Sequence, residues 1–521
     1  MEIKMEHVFA GQAKVLEEYS LYQLFINSVN TNPDKIALYW GQQEMTYREL
    51  NQLVDRMATR MRHLFTRQNM NIVYCVERSI LQIAGIIALI KEGHVCVPVS
   101  PAYPTERIMV ICSQVECTTI LHDETFNLDE CPDSYSFLDI RTLADSSLND
   151  SETFAEGNCH SDQTFVFFTS GSTGRPKGVW LGQEAIINCL MWRKEFCDLR
   201  EDDVFMYKAP ITFDISIWEI FLPLTNGVSL VIANPIGHYV IPYLIKTIEK
   251  RKISVIQFVG SVLRKFISEV QPSECLSLRA IFCGGESWNF ELGKRVCELF
   301  PHIQLLNVYG QTETSLGSSG WKFNPYYEPK CLTIGQPIFN TQYLIISEDE
   351  KSVTGMEEGG ELYVGGLIVS DGYVGNPLQT EKSFKWIEVE GKKLGRFYKT
   401  GDYVKRLEDG NFVFMGRKDN QVKIYGVRVE LEEIENLVND VAGVKASVAV
   451  KAGENEDTYV VLFVHTDHDV KTLSLDQLCK KHLPAAMLPR KIIAIDDIPI
   501  TANGKLDRKY LESLVISRES I

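Results

Sequence analysis

The sequence predicts an α/β protein with a large N-terminal domain, an added β subdomain, and a small α+β domain at the C-terminal end. Three observations carry this. Short apolar runs at 71–76, 96–99, 228–233 and 253–259 alternate with stretches of helical period. Two further β-like runs, 361–364 and 412–414, read as strands of a β subdomain. The last hundred or so residues then repeat the strand–helix alternation in a segment long enough for a core of its own.

In chain order, residues 21–30 read as an amphipathic helix that stops before Asn32-Pro33. Residues 47–64 set Leu50, Leu53, Met57 and Met61 on one helical face. A buried strand at 71–76, a helix at 80–91 and a strand at 96–99 follow. From 123 to 162 the chain turns polar and reads as surface loops. A buried strand at 164–168 precedes a glycine-rich loop, and 183–196 is helical. Residues 228–233 and 253–259 read as parallel strands, 280–286 as a strand and turn, and 304–308 as a strand. Near the end, 427–438 reads as a helix, 448–450 and 459–464 as strands, and 477–482 as a helix before Pro484. The expected domains are 1–418 and 419–521.

The chain has 521 residues and a net charge of −16, which argues against nonspecific binding to nucleic acid or anionic membranes. No run reaches the roughly 18 apolar residues of a membrane span, and residues 1–18 lack the apolar core of a signal peptide. The 13 cysteines are scattered with no C-x-x-C pair, as expected of small buried thiols in a reducing compartment. The expected location is cytoplasmic.

The stretch from Thr169 to Gly178 holds three glycines, four hydroxyls and Lys177 directly after a buried strand. Glycines let the main chain turn tightly, successive N–H groups form an anion nest, and the lysine adds a point charge. This is a phosphate-holding loop. It is not a Walker loop, because Arg175 and Pro176 separate Gly174 from Lys177 and no hydroxyl follows the lysine.

The loop resembles that of the adenylate-forming superfamily, which includes acyl-CoA synthetases, luciferases and peptide-synthetase adenylation domains. Further motifs match in the same order. They lie at 45–51, 97–108, 213–219, 307–313 (ending Tyr309-Gly310-Gln311-Thr312-Glu313), 360–366, 398–402 (Tyr398-Lys399-Thr400-Gly401-Asp402), 416–426 and 503–507. The resemblance covers residues 21–508 and implies chemistry with ATP and Mg2+.

By that resemblance Thr169, Ser170, Gly171, Ser172, Thr173, Gly174 and Lys177 hold phosphates. Gly285, Glu286, Asn307, Tyr309 and Gly310 line the nucleotide, with Tyr309 against adenine. Thr312 touches the α-phosphate and Glu313 binds magnesium. Asp402 suits the ribose, since one carboxylate accepts from two vicinal hydroxyls, and Arg417 helps at ribose or phosphate. Lys505 is the implied catalytic lysine, a cation for the charge developing on phosphorus. Asp419 is the implied hinge, and Lys423 and Gly426 lie on the face turned inward for the second half-reaction. The family usually has proline where Gln311 stands, so a local adjustment is expected there.

Asp214 lies between Phe213 and Ile215, with Ile217 and Trp218 nearby and no Lys or Arg within five residues. A carboxylate in that setting needs a cation, and a ligand ammonium would supply it. In peptide-synthetase adenylation domains the matching aspartate holds the substrate α-amino group. The implied pocket is Phe213, Asp214, Ile215, Trp218, Gln257, Phe282, Gly284, Val308, Leu316 and Gly317. The Trp218 and Gln257 pairing resembles pockets for glutamine or another small polar amino acid, whereas Leu316 and Gly317 depart from the glutamine pattern. The expected reaction is formation of an aminoacyl-adenylate and its transfer to the phosphopantetheine thiol of a separate carrier protein, since no carrier serine motif follows Lys505. A D-alanine–carrier ligase, an acyl- or aryl-CoA synthetase and a non-catalytic scaffold are the alternatives.

Overall fold

The computed structural model describes residues 4–16, 20–65, 67–129, 131–146, 162–171, 175–347, 359–417, 421–424, 426–453, 457–499 and 506–519. The chain divides into two compact units. The first comprises Met1–Pro101, Gln114–Phe167 and Gly178–Lys418. The second comprises Asp419–Ile521 together with Ala102–Ser113 and Phe168–Lys177.

A nine-stranded sheet organises the first unit. Its strands run in the order Gln336–Pro337, Ser319–Lys322, Gln304–Tyr309, Ala280–Gly284, Val255–Phe258, Val204–Tyr207, Ser229–Ile232, Ile36–Trp40 and Gln43–Thr46. The six strands from Gln304–Tyr309 to Ile36–Trp40 are parallel, and the pairings at both ends are antiparallel. Parallel strands bury both faces, which explains their near-continuous apolar runs. The order reverses about Val204–Tyr207, and ligands of open α/β sheets bind beyond the strand carboxyl ends at such a point. A second, six-stranded sheet includes Asn71–Cys75, Val95–Pro98 and Gln163–Thr169. The β subdomain is a six-stranded antiparallel sheet built on the long strand Lys392–Arg406.

The helices Leu21–Thr31, Tyr47–Leu64, Ile80–Lys91 and Gln183–Phe196 form where the periodicity places them. Tyr47–Leu64 starts at a reciprocal cap between Thr46 and Glu49. The buried helix Ile80–Lys91 starts at Ser79, whose hydroxyl accepts from the Gln82 N–H.

Two readings need correction. The polar stretch 123–162 is not all loop, because it holds the strand Ser136–Asp139 and the helix Ile140–Ala144. That strand lies at a sheet edge, where half-exposed polar residues hide the β pattern, and Asp139 caps the helix by accepting from the Arg141 N–H. Residues 147–161 of that stretch lie outside the described residues. The stretch 427–438 is not one helix. Val427–Val429 forms a hairpin with Val422–Ile424, and the helix runs from Leu431 to Asn439. The alternation Val427-Arg428-Val429 has the β period of two, while helical spacing begins at Leu431, Ile434 and Val438.

The second unit packs a mixed three-stranded sheet, Val444–Ala452, Tyr459–Thr466 and Pro489–Ile495, with the helices Leu431–Asn439, Leu475–His482 and Arg508–Glu519. No described helix is long and apolar enough to cross a membrane. None of the described cysteines forms a disulfide, and most are buried.

Candidate active site

At the carboxyl ends of the parallel strands, Gln257 is in register with Phe282, and Gly284 with Val308. Side chains alternate along a strand, so these four residues share one face of the sheet. Gly284 is required by close approach, since a Cβ there would lie 2.5 Å from the Val308 carbonyl oxygen. Trp218, on the helix Ile215–Leu224, packs its ring 4.7 Å from that of Phe282. The turn Ser315–Gly317 is tied to the same cluster through Arg193. Ser315 and Leu316 hold φ values of 46° and 71°, a left-handed conformation that surrounding contacts must impose.

Those contacts come from the helix Gln183–Phe196. The Cys189 thiol donates to the Ser315 carbonyl, and Arg193 Nη2 donates to the Leu316 carbonyl at 2.9 Å. Sequence reasoning missed Arg193. It follows Ile186 and Cys189 at helical spacing on the buried face, a signal that could have found it.

Asp214 occupies the N-cap position of Ile215–Leu224 but makes no capping hydrogen bond with its side chain. Its charge reaches inward, raising the pKa values of both Arg193 and Cys189, although burial dominates at each. Ser216 and Glu219 of the same motif face the other way. Glu219 Oε2 accepts from the N–H groups of Lys208 and Ala209 at 2.9 and 2.8 Å, which fixes the segment leading to Asp214. Burial raises the Glu219 carboxyl, opposed by Lys208.

A second cluster gathers around Asp402. The Tyr309 hydroxyl donates to Asp402 Oδ2 at 2.5 Å, and Gln311 Nε2 reaches both that oxygen and the Tyr309 hydroxyl at 2.6 Å. Arg417 donates to the other Asp402 oxygen and to the Thr400 carbonyl. Burial first, and Asp402 second, push the Tyr309 phenol well above its usual range, so it remains a donor. Gln311, where proline is usual in the family, has φ −130°, far from the roughly −65° of proline. Its side chain joins the cluster instead.

Glu313 is buried, and its Oε1 accepts from the Tyr373 hydroxyl at 2.8 Å. Sequence reasoning did not select Tyr373. Asn307 is held at both ends, accepting from Trp288 Nε1 and donating to the Thr333 carbonyl. Glu286 accepts from the Ser261 N–H at the start of the helix Gly260–Glu269. Asn307 and Glu286 therefore brace the fold around the site. Gly285 adopts φ +83° in the turn beside Glu286, and Gly310 faces Gly317, whose Cα would sit 2.5 Å from a Cβ. Thr312 opens the short 3-10 turn that carries Glu313.

In the second unit, the Gly171 N–H donates to Glu433 Oε2 at 2.8 Å, and Lys177 lies 3.8 Å from Glu430. The loop thus holds anionic oxygens through a main-chain donor and a lysine. A Cβ at Gly171 would lie 1.9 Å from the Arg175 carbonyl oxygen, so glycine is obligatory. The Ser170 hydroxyl donates to the Arg428 carbonyl and accepts from the Glu430 N–H, while Thr169 Oγ1 is buried without a partner among the described residues. Lys423 is exposed on its hairpin strand, and Gly426 makes the turn with φ +79°. Ser172, Thr173, Gly174, Asp419 and Lys505 lie outside the described residues.

Residues 25–374 match the AMP-binding enzyme family, and 433–505 match the AMP-binding enzyme C-terminal domain. Tyrocidine synthase 3 of Brevibacillus parabrevis is 34% identical over 94% of this chain, which spans 8% of that protein. Zwittermicin A synthase ZmaJ of Bacillus cereus is 30% identical, with 95% of each chain covered. Among solved structures, an artificially fused adenylation–PCP di-domain from Klebsiella oxytoca, NpsA-ThdA, matches with TM-score 0.81 and 25% identity. That match covers 92% of this chain and 94% of the other. The chain belongs to the AMP-binding, adenylate-forming enzyme family, of the type found in nonribosomal peptide synthetases.

Proposed function

We propose that this enzyme activates an α-amino acid with ATP, as an aminoacyl-adenylate, and passes the aminoacyl group to the phosphopantetheine thiol of a separate carrier protein. The observation that carries the reading is Asp214. It is a carboxylate at the start of the helix that carries Trp218, not used as a cap, and Trp218 packs on Phe282, the strand neighbour of Gln257. A substrate ammonium would pair with that carboxylate, and the polar atoms of Gln257 favour glutamine or another small polar side chain.

In the first step a carboxylate oxygen of the amino acid attacks the α-phosphorus, the bond to the β-phosphate oxygen breaks, and pyrophosphate leaves. In the second the carrier sulfur attacks the acyl carbon, losing its proton, and AMP leaves. No protein nucleophile is required, because positioning and charge stabilisation do the work. Asp402, aligned by Tyr309, Gln311 and Arg417, accepts from the ribose hydroxyls. Gly171 and Lys177 offer phosphate the donors they now offer carboxylates. Glu313, a hard oxygen donor steadied by Tyr373, fits magnesium. Bound magnesium would neutralise phosphate charge. Lys505 supplies the cation for the transition state.

The test is ATP–pyrophosphate exchange over the twenty amino acids, D-alanine, aryl acids and fatty acids, followed by loading of a phosphopantetheinylated carrier read by mass. Exchange with one amino acid, lost in Lys505→Ala, is the expected result. Exchange with aryl or fatty acids alone would transfer the protein to the CoA-ligase branch, and D-alanine alone to the D-alanine–carrier ligases. Silence with every carboxylate would mark a scaffold.

A further inference from the structure

We propose that Arg193 is a specificity determinant that, with Gln257 and Trp218, selects an amino acid whose side chain ends in a carboxylate. The proposal rests on the amino-acid reading above and narrows its polar class from amide to acid.

Arg193 is 1% exposed, on the helix Gln183–Phe196. Its guanidinium carbon lies 4.7 Å from the centre of the Trp218 ring and 5.5 Å from that of Phe282. Nη2 is committed to the Leu316 carbonyl, but Nη1 is buried with no hydrogen-bond partner among the described residues. Two neighbours share that condition. Gln257, 2% exposed, has both amide atoms unpartnered, and so does Trp218, 1% exposed, at Nε1. Gln257 stands beside Phe282 across one strand pairing, and Trp218 packs on Phe282. Three buried side chains with unmet hydrogen-bonding capacity thus surround one phenyl ring. Buried polar groups in native proteins are nearly always satisfied, by protein, ligand or ordered water, and one polar ligand group could meet all three.

The chemistry of the partner follows from the donors. Guanidinium and indole N–H only donate, and the Gln257 amide can add its NH2 to them. A carboxylate only accepts. A substrate amide would instead set its own N–H groups against donors. Charge points the same way, because a buried guanidinium demands an anion. Asp214 supplies field at Arg193, and burial still lowers the arginine to about 10. Once Asp214 faces the substrate ammonium, the carboxylate still acting on Arg193 is Glu219, itself committed to two main-chain N–H groups, and an acidic side chain would bring another anion. The substrate α-carboxylate is meanwhile committed to phosphorus.

The rival role for Arg193 is to brace the strained turn Ser315–Gly317 and offset Asp214. The experiment separates the two roles using the full chain. Exchange is measured with aspartate, glutamate, asparagine, glutamine, serine and threonine for the wild type, Arg193→Met, Arg193→Lys and Gln257→Met. The expected wild-type result is an acidic amino acid favoured about 100-fold over its amide. Arg193→Met should reverse that order through KM for the amino acid, with KM for ATP unchanged, and Arg193→Lys should restore the preference in part. Gln257→Met leaves the turn intact, so it should fold even if the arginine variants do not, and should cut the acid-to-amide ratio about tenfold. A neutral amino acid as the wild-type substrate, with acids inert, would overturn the proposal and leave amino-acid activation standing. So would an acid-to-amide ratio unmoved in Arg193→Met or, should that variant not fold, in Gln257→Met. Absence of exchange with every amino acid would overturn both.

Discussion

Replacing Asp214 separates a clamp for the substrate amine from a helix cap. The residue occupies the N-cap position of Ile215–Leu224 with φ −56° and ψ −30°, and its side chain accepts no hydrogen bond from the first turn. As a negative charge near the helix N-terminus it contributes about 0.3–1 kcal/mol to stability. A charge-assisted hydrogen bond to an ammonium is worth about 1.5–3 kcal/mol. At about 1.4 kcal/mol per factor of ten, that is roughly 10- to 150-fold in kcat/KM for the amino acid. Asp214→Ala and Asp214→Asn should both show this loss in ATP–pyrophosphate exchange. KM for ATP should hold, and thermal unfolding should move by only a few degrees. Asp214→Ser is the decisive variant, because serine caps helices as well as aspartate does but carries no charge. Activity restored by serine would refute the amine clamp, and so would equal loss for amino acids and for carboxylic acids lacking an amine.

Asp402→Asn should raise KM for ATP about tenfold and destabilise the protein by about 2 kcal/mol in urea unfolding, because the Arg417 partner loses its counter-charge. Tyr373→Phe removes the hydroxyl that orients Glu313, so a titration of exchange against Mg2+ should shift several-fold to higher metal, with KM for the amino acid constant. His94 introduces a pH dependence. Burial lowers its pKa, opposed by Glu92, and its Nδ1 accepts from the Met70 N–H, so the folded ring is neutral. The stability it protects is present above about pH 6.5 and is lost as pH falls through the lowered folded value. The urea midpoint should therefore fall between pH 7.5 and 5 more steeply in the wild type than in His94→Gln.

Much of the fold was legible because periodicity is local. The helix Tyr47–Leu64 begins and ends where its apolar spacing and its Thr46–Glu49 cap place it. Strands buried on both faces announced themselves as short apolar runs. The edge strand Ser136–Asp139 and the hairpin strand Val427–Val429 did not, since exposed faces carry polar residues and short alternations read two ways. In the site, Asp214, Gln257 and Asp402 were legible as residue types in motifs. Gln311 was legible only as a departure, and its bonds to Tyr309 and Asp402 had no local sign.

The sequence by itself determined four of the six parallel strands, most of the long helices, the glycine-rich loop and the family, because spacing and motif act within a few residues. Only the tertiary structure decided which groups meet. Arg193 reaches Leu316 across 123 positions, Tyr373 reaches Glu313 across 60, and Tyr309 reaches Asp402 across 93. Such pairings are set by strand order and helix packing. A buried guanidinium over Trp218 exists only once the helix and the sheet close on each other.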